Sequence, residues 1–270
     1  MGISNIVFAG GGSKGIVYLG ILKGLQELQE LQELDISNFY GTSIGALFSL
    51  CCTLQIKYEI LYNFLISEYQ NLKPCTSIQN LLSFYGTDTG VRLLRLIHTI
   101  LDIGGVHKEI TFSELHLKTE KGLFVISSDL KDQCIKRFNH VDTPHVQVDT
   151  AILSSMSLPI IFKPVLGRYI DGALLCNFPI LEAPDTPETL GFHFGGKRNT
   201  SENLVNYISN LFSCITAAQV PNAQSRRVIK IPIDIKSLTF DLSQEQISSL
   251  VNVGYNIISS TLNKGPLPKD

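Results

Sequence analysis

An apolar run, ISNIVFA at residues 3–9, passes with almost no polar break into GGGSKG, which places Gly10, Gly11, Gly12 and Gly15 in one short turn. A second apolar stretch begins at Ile16. A strand that leads through a tight glycine turn into a helix is the opening of an α/β fold. A parallel strand is covered on both faces, so it reads as a continuous apolar run rather than an alternating one.

The pattern then repeats. Residues 37–40 predict a short strand that enters YGTSIGAL, and residues 44–54 are apolar almost throughout, as a central buried helix requires. Between the two units, LQELQELQELD repeats leucine at positions 25, 28, 31 and 34. A three-residue period drifts around a 3.6-residue helix, so this is a small tandem duplication lengthening a surface helix and not a coiled-coil seam. Residues 58–69 and 91–101 predict helices, and the whole stretch between them, FYGTDTG included, reads as loop. Residues 56–115 are therefore expected to form a helical insertion or lid beside the sheet, although its helices could as easily be plain core.

Further along, residues 122–127 and 134–138 predict paired strands, and 148–155 a helix that ends before Leu158-Pro159. Residues 169–170 lead into Asp171-Gly172-Ala173. A strand at 190–194, a helix at 204–218, a strand at 228–233 and a helix at 244–260 complete the chain. No linker-like tract interrupts the 270 residues, so one domain is expected.

Composition excludes several classes. The net charge of −2 is evenly mixed, with no basic stripe for nucleic acid. The six cysteines show no C-x-x-C spacing and no pairing with histidine, which points to reduced thiols and argues against structural zinc. The residues predict neither a secretory signal nor a membrane span. The expected location is cytoplasmic, with any membrane contact peripheral.

Gly41-Thr42-Ser43-Ile44-Gly45 fits G-x-S-x-G between a strand and an apolar helix. Glycines flank the serine because the chain must reverse sharply, which leaves the hydroxyl exposed as a candidate nucleophile. The glycine loop also satisfies G-x-G-x-x-G, but no second strand ending in an acidic residue follows at the distance a dinucleotide site needs. Its other reading is an oxyanion hole, in which the amides of Gly10, Gly11, Gly12 and Gly15 are free of obstructing side chains. Lys14 would support it, either through positive potential or as a solvated charge. For the base that would take the serine proton, Ser43, Asp171 and His193 follow the chain order of a hydrolase triad. His193, however, lies within the LGFHF strand pattern and not on a loop. Asp171 has a setting that could serve, and Gly172 lets the chain turn directly after it; an ordinary Asp-Gly turn explains the pair equally well.

GGGSKG at 10–15, GTSIG at 41–45 and DGA at 171–173, in this order, resemble the patatin-like phospholipase family. LSSMSLPIIFKPV (153–165), Asn177 with Pro179, and DLSQEQISSLVNVGY (241–255) look like further parts of it. DGA stands where DGG is commoner, and residues 56–120 diverge. The resemblance implies a three-layer α/β/α sandwich with a mixed, mainly parallel sheet. It implies a Ser43–Asp171 dyad without histidine, a glycine-rich oxyanion hole, and Gly41, Gly45 and Gly172 as supporting positions. No metal or other cofactor is implied. Expected partners are phospholipids or other acyl lipids at a membrane surface, with room for a protein activator or a homodimer. The rival to this reading is a lipid-binding or interaction protein on an inactive hydrolase scaffold.

Overall fold

The computed structural model describes residues 2–31, 34–195, 204–217, 219, 225–233, 235 and 239–262. The first strand, β1 (Asn5–Phe8), is followed by a 3-10 turn over Gly12–Ile16 and by α1 (Val17–Glu30). β2 (Asn38–Thr42) runs into α2 (Ile44–Thr53). The next segment holds α3 (Tyr58–Glu68), α4 (Ile78–Phe84), β3 (Gly86–Asp88), α5 (Val91–Ile103) and α6 (Phe112–Thr119). It is followed by β4 (Gly122–Asp129), β5 (Cys134–Phe138), α7 (Val148–Met156), β6 (Ile160–Phe162) and β7 (Tyr169–Asp171). The chain closes with β8 (Thr189–Gly195), α8 (Leu204–Ala217), β9 (Arg227–Pro232) and α9 (Gln244–Leu262). Residue 218, predicted within the eighth helix, lies outside the described residues.

The main sheet has the order β5-β4-β2-β1-β8-β9, with β7 also paired to β4. β4, β2, β1, β8 and β9 run parallel, while β5 and β7 are antiparallel to β4. The fold is thus α/β, as the apolar strands predict, and its sheet is mixed and mainly parallel, as the family resemblance implies. The chain winds from β1 outward to β2 and β4, then returns to the other side of β1 for β8 and β9. Such a reversal opens a crevice beyond the C-terminal ends of the central strands, the usual ligand position in open α/β sheets.

Side chains alternate across the sheet. Ile6, Phe8, Phe39, Leu190 and Phe192 join the large core beneath α1, α2 and α9. Val7, Ala9 and Tyr40 face the other way, against Phe178, Ile180 and Ala183 around the 3-10 turn Pro179–Glu182. The two covering layers are therefore unequal: one face carries a thick helical layer and the other a thin one. α1 ends at Glu30, and the leucine period drifts as expected: Leu25 and Leu28 are buried, while Leu31 is exposed.

Two expectations are corrected. FYGTDTG is not a loop. Phe84 ends α4, and Gly86–Asp88 forms β3, which pairs in parallel with β6 in a separate two-stranded ribbon. The strand is too short for its period to be read from sequence. Residues 56–115 are also not simply a lid beside the sheet. Leu61 and Leu65 of α3, and Leu93, Leu96, Ile97, Ile100 and Leu101 of α5, belong to the main core. Only the α4 portion stands clear of it, with no buried residue. The six cysteines are free thiols, two of them buried.

Candidate active site

β2 delivers Thr42 to the C-terminal edge of the sheet, and the chain turns at Ser43 into α2. Ser43 takes φ 57 and ψ −127, a backbone region costly for any residue with a side chain. Two neighbours leave no other path. A Cβ on Gly41 would lie 2.4 Å from the Gly45 backbone, and one on Gly45 would lie 2.4 Å from the Phe8 carbonyl oxygen. The Ser43 amide donates to Ser155 Oγ at 2.8 Å, and that hydroxyl donates in turn to the Ile126 carbonyl of β4. Small residues on α7 let this helix approach the elbow and brace it.

Asp171 arrives by a different route. β4 outruns β2: its residues from Gly122 to Ile126 pair with β2, and its last three, Ser127 to Asp129, pair with β7. β5 occupies the opposite edge of β4, so β7 fills the edge that β2 has left. Asp171 pairs with Ser127 and so comes to lie just beyond the end of β2. A Cβ on Gly172 would lie 2.4 Å from the Ile126 carbonyl oxygen, so only glycine allows the strand to turn away there.

The result is a hydrogen bond of 2.6 Å from Ser43 Oγ to Asp171 Oδ2. The other carboxylate oxygen, Oδ1, accepts the Ala173 amide at 2.8 Å. Asp171 is only 2% exposed. Burial pushes its pKa from an ordinary 3.8 up to about 7, against the opposing pull of the Ser43 and Ala173 hydrogen bonds. A carboxylate of that basicity, aimed at a hydroxyl, is suited to accept its proton near neutral pH.

The glycine loop divides into parts with different tasks. The Gly10 amide donates to the Asn177 carbonyl at 2.9 Å, so it is not free for a ligand. Its open position instead makes room for the Asn177 side chain, whose Oδ1 lies 2.5 Å from where a Cβ would stand. Gly15 is buried in the 3-10 turn and leaves space for Ile44. The oxyanion expectation is therefore corrected at Gly10, whose amide is already taken, while Gly15 is buried and is not among the residues that line the cavity over Ser43. Among the described residues, no acceptor meets the amides of Gly11 and Gly12, and both residues line the cavity over Ser43. Gly12 has φ 57 and Gly11 lies against the Phe194 ring. Lys14 lines the same cavity.

His193 also lines the cavity, but it stacks on Phe178 at 5.2 Å, and among the described residues no hydrogen bond joins it to Ser43 or Asp171. Burial and then the neighbouring Lys230 charge hold its pKa below the ordinary value. The triad geometry is absent.

Several supporting residues escape a reading by motif. Ser155 and the Cys176 carbonyl, which accepts Thr42 Oγ1 at 2.9 Å, act through contacts invisible in sequence. Tyr69, from the diverged segment, donates to the Thr239 carbonyl, and the Thr239 amide donates to Ser13 Oγ in the glycine loop. Ser155 alone carried a signal, in the small-residue run of 153–157.

Above the serine opens a cavity of about 640 Å³, within the range of small-ligand sites. One wall is apolar, from Leu47, Phe48, Leu65, Leu96, Met156 and Phe162; Asn177, His193, Gln219 and Lys230 bring polar groups to its margin. Among the described residues no cluster of three metal-ligating side chains occurs, and no helix is long and apolar enough to cross a membrane.

VipD from Legionella pneumophila superposes with a TM-score of 0.60 at 16% identity, over 97% of this chain and 67% of that one, a likeness of fold. The uncharacterized protein R571 of Acanthamoeba polyphaga mimivirus is 25% identical over 290 residues, 97% of this chain and 94% of that protein. The probable lipid hydrolase 463L of Invertebrate iridescent virus 6 is 30% identical over 189 residues, 65% of this chain and 61% of its own length. The model of the patatin-like phospholipase family matches residues 6–184, a span that contains the glycine loop, the serine elbow and Asp171, and the chain belongs to that family.

Proposed function

We propose that the chain is a lipid acyl hydrolase that cleaves fatty-acyl esters of phospholipids or lysophospholipids through Ser43 and Asp171. The observation that carries this reading is the 2.6 Å bond between Ser43 Oγ and a buried carboxylate whose pKa is pushed up to about 7. The serine oxygen attacks the ester carbonyl carbon as Asp171 takes its proton. The carbonyl oxygen becomes an oxyanion, held by the amides of Gly11 and Gly12 and by the N-terminal end of α2. Asp171 then returns the proton to the departing alcohol oxygen, which leaves an acyl-serine. Water, deprotonated by the same carboxylate, attacks the acyl-serine; the acyl–Oγ bond breaks as Asp171 returns the proton to Ser43 Oγ, and the fatty acid leaves.

The apolar wall of the cavity suits an acyl chain. Leu47, Phe48 and Leu96 line the same cavity as the glycine loop and Ser43. The mechanism requires no cofactor from these residues.

Fatty-acid release from mixed phospholipid vesicles tests the reading. Wild-type protein should release fatty acid, and Ser43→Ala should reduce release to background. Undiminished release by Ser43→Ala would discard the serine mechanism. Analysis of the products identifies the bond cut.

A further inference from the structure

α4 is an anomaly among the helices. None of its residues is buried, yet Ile78, Leu82 and the capping Tyr85 are 73%, 78% and 76% exposed. Ile78 and Leu82 share one helical face, being four residues apart, and Tyr85 follows at the helix end. A short helix exposing such residues to water, with none fully buried, gains little from burial and must be held by other means.

It is held by hydrogen bonds. Ser77 caps the helix by accepting the Asn80 amide at 3.2 Å, and its own amide donates to the Thr87 carbonyl of β3 at 3.2 Å. Asn80 Nδ2 donates to the same carbonyl at 3.3 Å. Asp88, buried at the end of β3, accepts the Cys75 and Gly90 amides and so ties the segments before α4 and after β3 together. The apolar side chains are thus presented on a fixed support.

Charge around the helix is one-sided. No Asp or Glu lies between Glu68 and Asp88. Lys73 and Lys163 are exposed, and among the described residues neither meets a carboxylate. Lys163 lies over the Phe84 ring at 5.0 Å, which puts a cation at the edge of the apolar patch. Arg92, by contrast, is neutralised by Asp88 at 3.2 Å.

The support also borders the cavity. β6 carries both ends of the connection: Ile160 pairs with Gly86 beside the patch, and Phe162 pairs with Asp88 and lines the cavity wall. Leu72 and Leu93, on either side of the α4 segment in sequence, line the same wall.

We infer that α4 is a docking element for an anionic lipid surface. Ile78, Leu82 and Tyr85 enter the headgroup and acyl boundary, while Lys73 and Lys163 meet the lipid phosphates and carboxylates. This arrangement sets the cavity mouth against the membrane and deepens the proposed function, on which its biological sense rests. The chemistry fits a lipid surface better than a protein because exposed apolar residues, with Lys163 at their edge and Lys73 five residues before the helix, neither meeting a carboxylate among the described residues, match the layered polarity of a bilayer interface.

Vesicle sedimentation with the full chain carrying Ser43→Ala, so that lipid is not consumed, tests the inference. The vesicles are phosphatidylcholine alone and an equal mixture with phosphatidylserine. Binding should favour the mixture. Adding Leu82→Glu should lower binding by about tenfold, and Lys73→Glu with Lys163→Glu should lower it on the mixture by about fivefold per lysine. In the active protein, Leu82→Glu should leave turnover of a soluble short-chain ester unchanged, since Leu82 does not line the cavity. If Leu82→Glu also loses ester turnover, the lysine pair decides in its place. Binding that is indifferent to both changes overturns the inference, even with ester turnover intact. A dimer dissolved by Leu82→Glu, with vesicle binding unaffected, overturns it in favour of a second copy. Loss of ester turnover in the wild type, with α4-dependent vesicle binding retained, would remove the proposed function and leave the docking surface standing.

Discussion

The chain has two glycine-rich turns at the same edge of the sheet, and their glycines face different obstacles. In the serine elbow, a Cβ at Gly41 or Gly45 would strike backbone: the Gly45–Ala46 peptide in one case, the Phe8 and Ala9 carbonyls in the other. In the 10–15 loop, a Cβ would strike side chains: Asn177 at Gly10, Phe194 at Gly11, Ile44 at Gly15. Side chains can rotate away, whereas backbone held in a paired strand or in the first turn of a helix cannot. The elbow is therefore a fixed geometry that other parts accommodate, and the loop is fitted around its neighbours.

The proposed chemistry makes this contrast measurable. In that proposal the elbow and its carboxylate hold the reacting groups, and the loop supplies only donors. Asp171→Asn removes the proton acceptor with little change of shape, so kcat should fall about 10⁴-fold. A loss of less than tenfold would separate Asp171 from the chemistry. Gly45→Ala should cost about 3–5 kcal/mol of stability, read as the denaturation midpoint, because the clash is with β1 backbone. Gly11→Ala should cost only about 1–2 kcal/mol, since the Phe194 ring can move, although it should also slow turnover. Equal stability losses at the two positions would erase the distinction.

The Asp171 carboxyl links pH to both activity and stability. Its pKa is about 7 in the folded chain and about 3.8 when solvated, so the native state holds its proton where the unfolded chain has lost it. The protonated form favours the fold fully below pH 3.8, and that contribution is lost as pH rises through about 7. Turnover should move oppositely, rising through pH 7 as the base ionises. Asp171→Asn should thus raise thermal stability relative to wild type more at pH 8 than at pH 5. A difference independent of pH would refute the shifted carboxyl.

The smallest effect should come from the loop's remote tether. Tyr69→Phe removes the bond to the Thr239 carbonyl, and with it one support of Ser13. About 1 kcal/mol of stability and a few-fold loss of turnover are expected, measured by melting and by soluble-ester kinetics. A loss as large as that of Asp171→Asn would mean the loop is no more yielding than the elbow.

Legibility in the sequence followed the same division. The central strands could be read because parallel strands covered on both faces leave unbroken apolar runs, as in residues 3–9 and 122–127. Ser43 and Asp171 stood out because their glycine neighbours answer to backbone contacts that any sequence with this turn must respect. The assignment of donors within the loop was not legible: GGGSKG presents its glycines alike, and only the Asn177 carbonyl distinguishes Gly10 from Gly11 and Gly12. β3 was hidden by its length, and α4 by its lack of any buried face. Ser155 and Tyr69 reach the site from distant parts of the chain, through pairings that no local pattern encodes.

β7 has a further consequence as a ruler. The sheet ladder sets Asp171 opposite Ser127, and Arg168, directly before β7, pins that alignment through paired bonds of 2.8 Å from Nε to both oxygens of Asp129. A slip of one residue would carry the carboxylate about 3.3 Å along the strand and turn it to the opposite face. The distance from acid to serine is thus fixed by counting residues from an ion pair, not by the shape of a loop. Inserted residues between Gly167 and Arg168 would leave that count untouched, while a single residue inserted between Arg168 and Asp171 would break it.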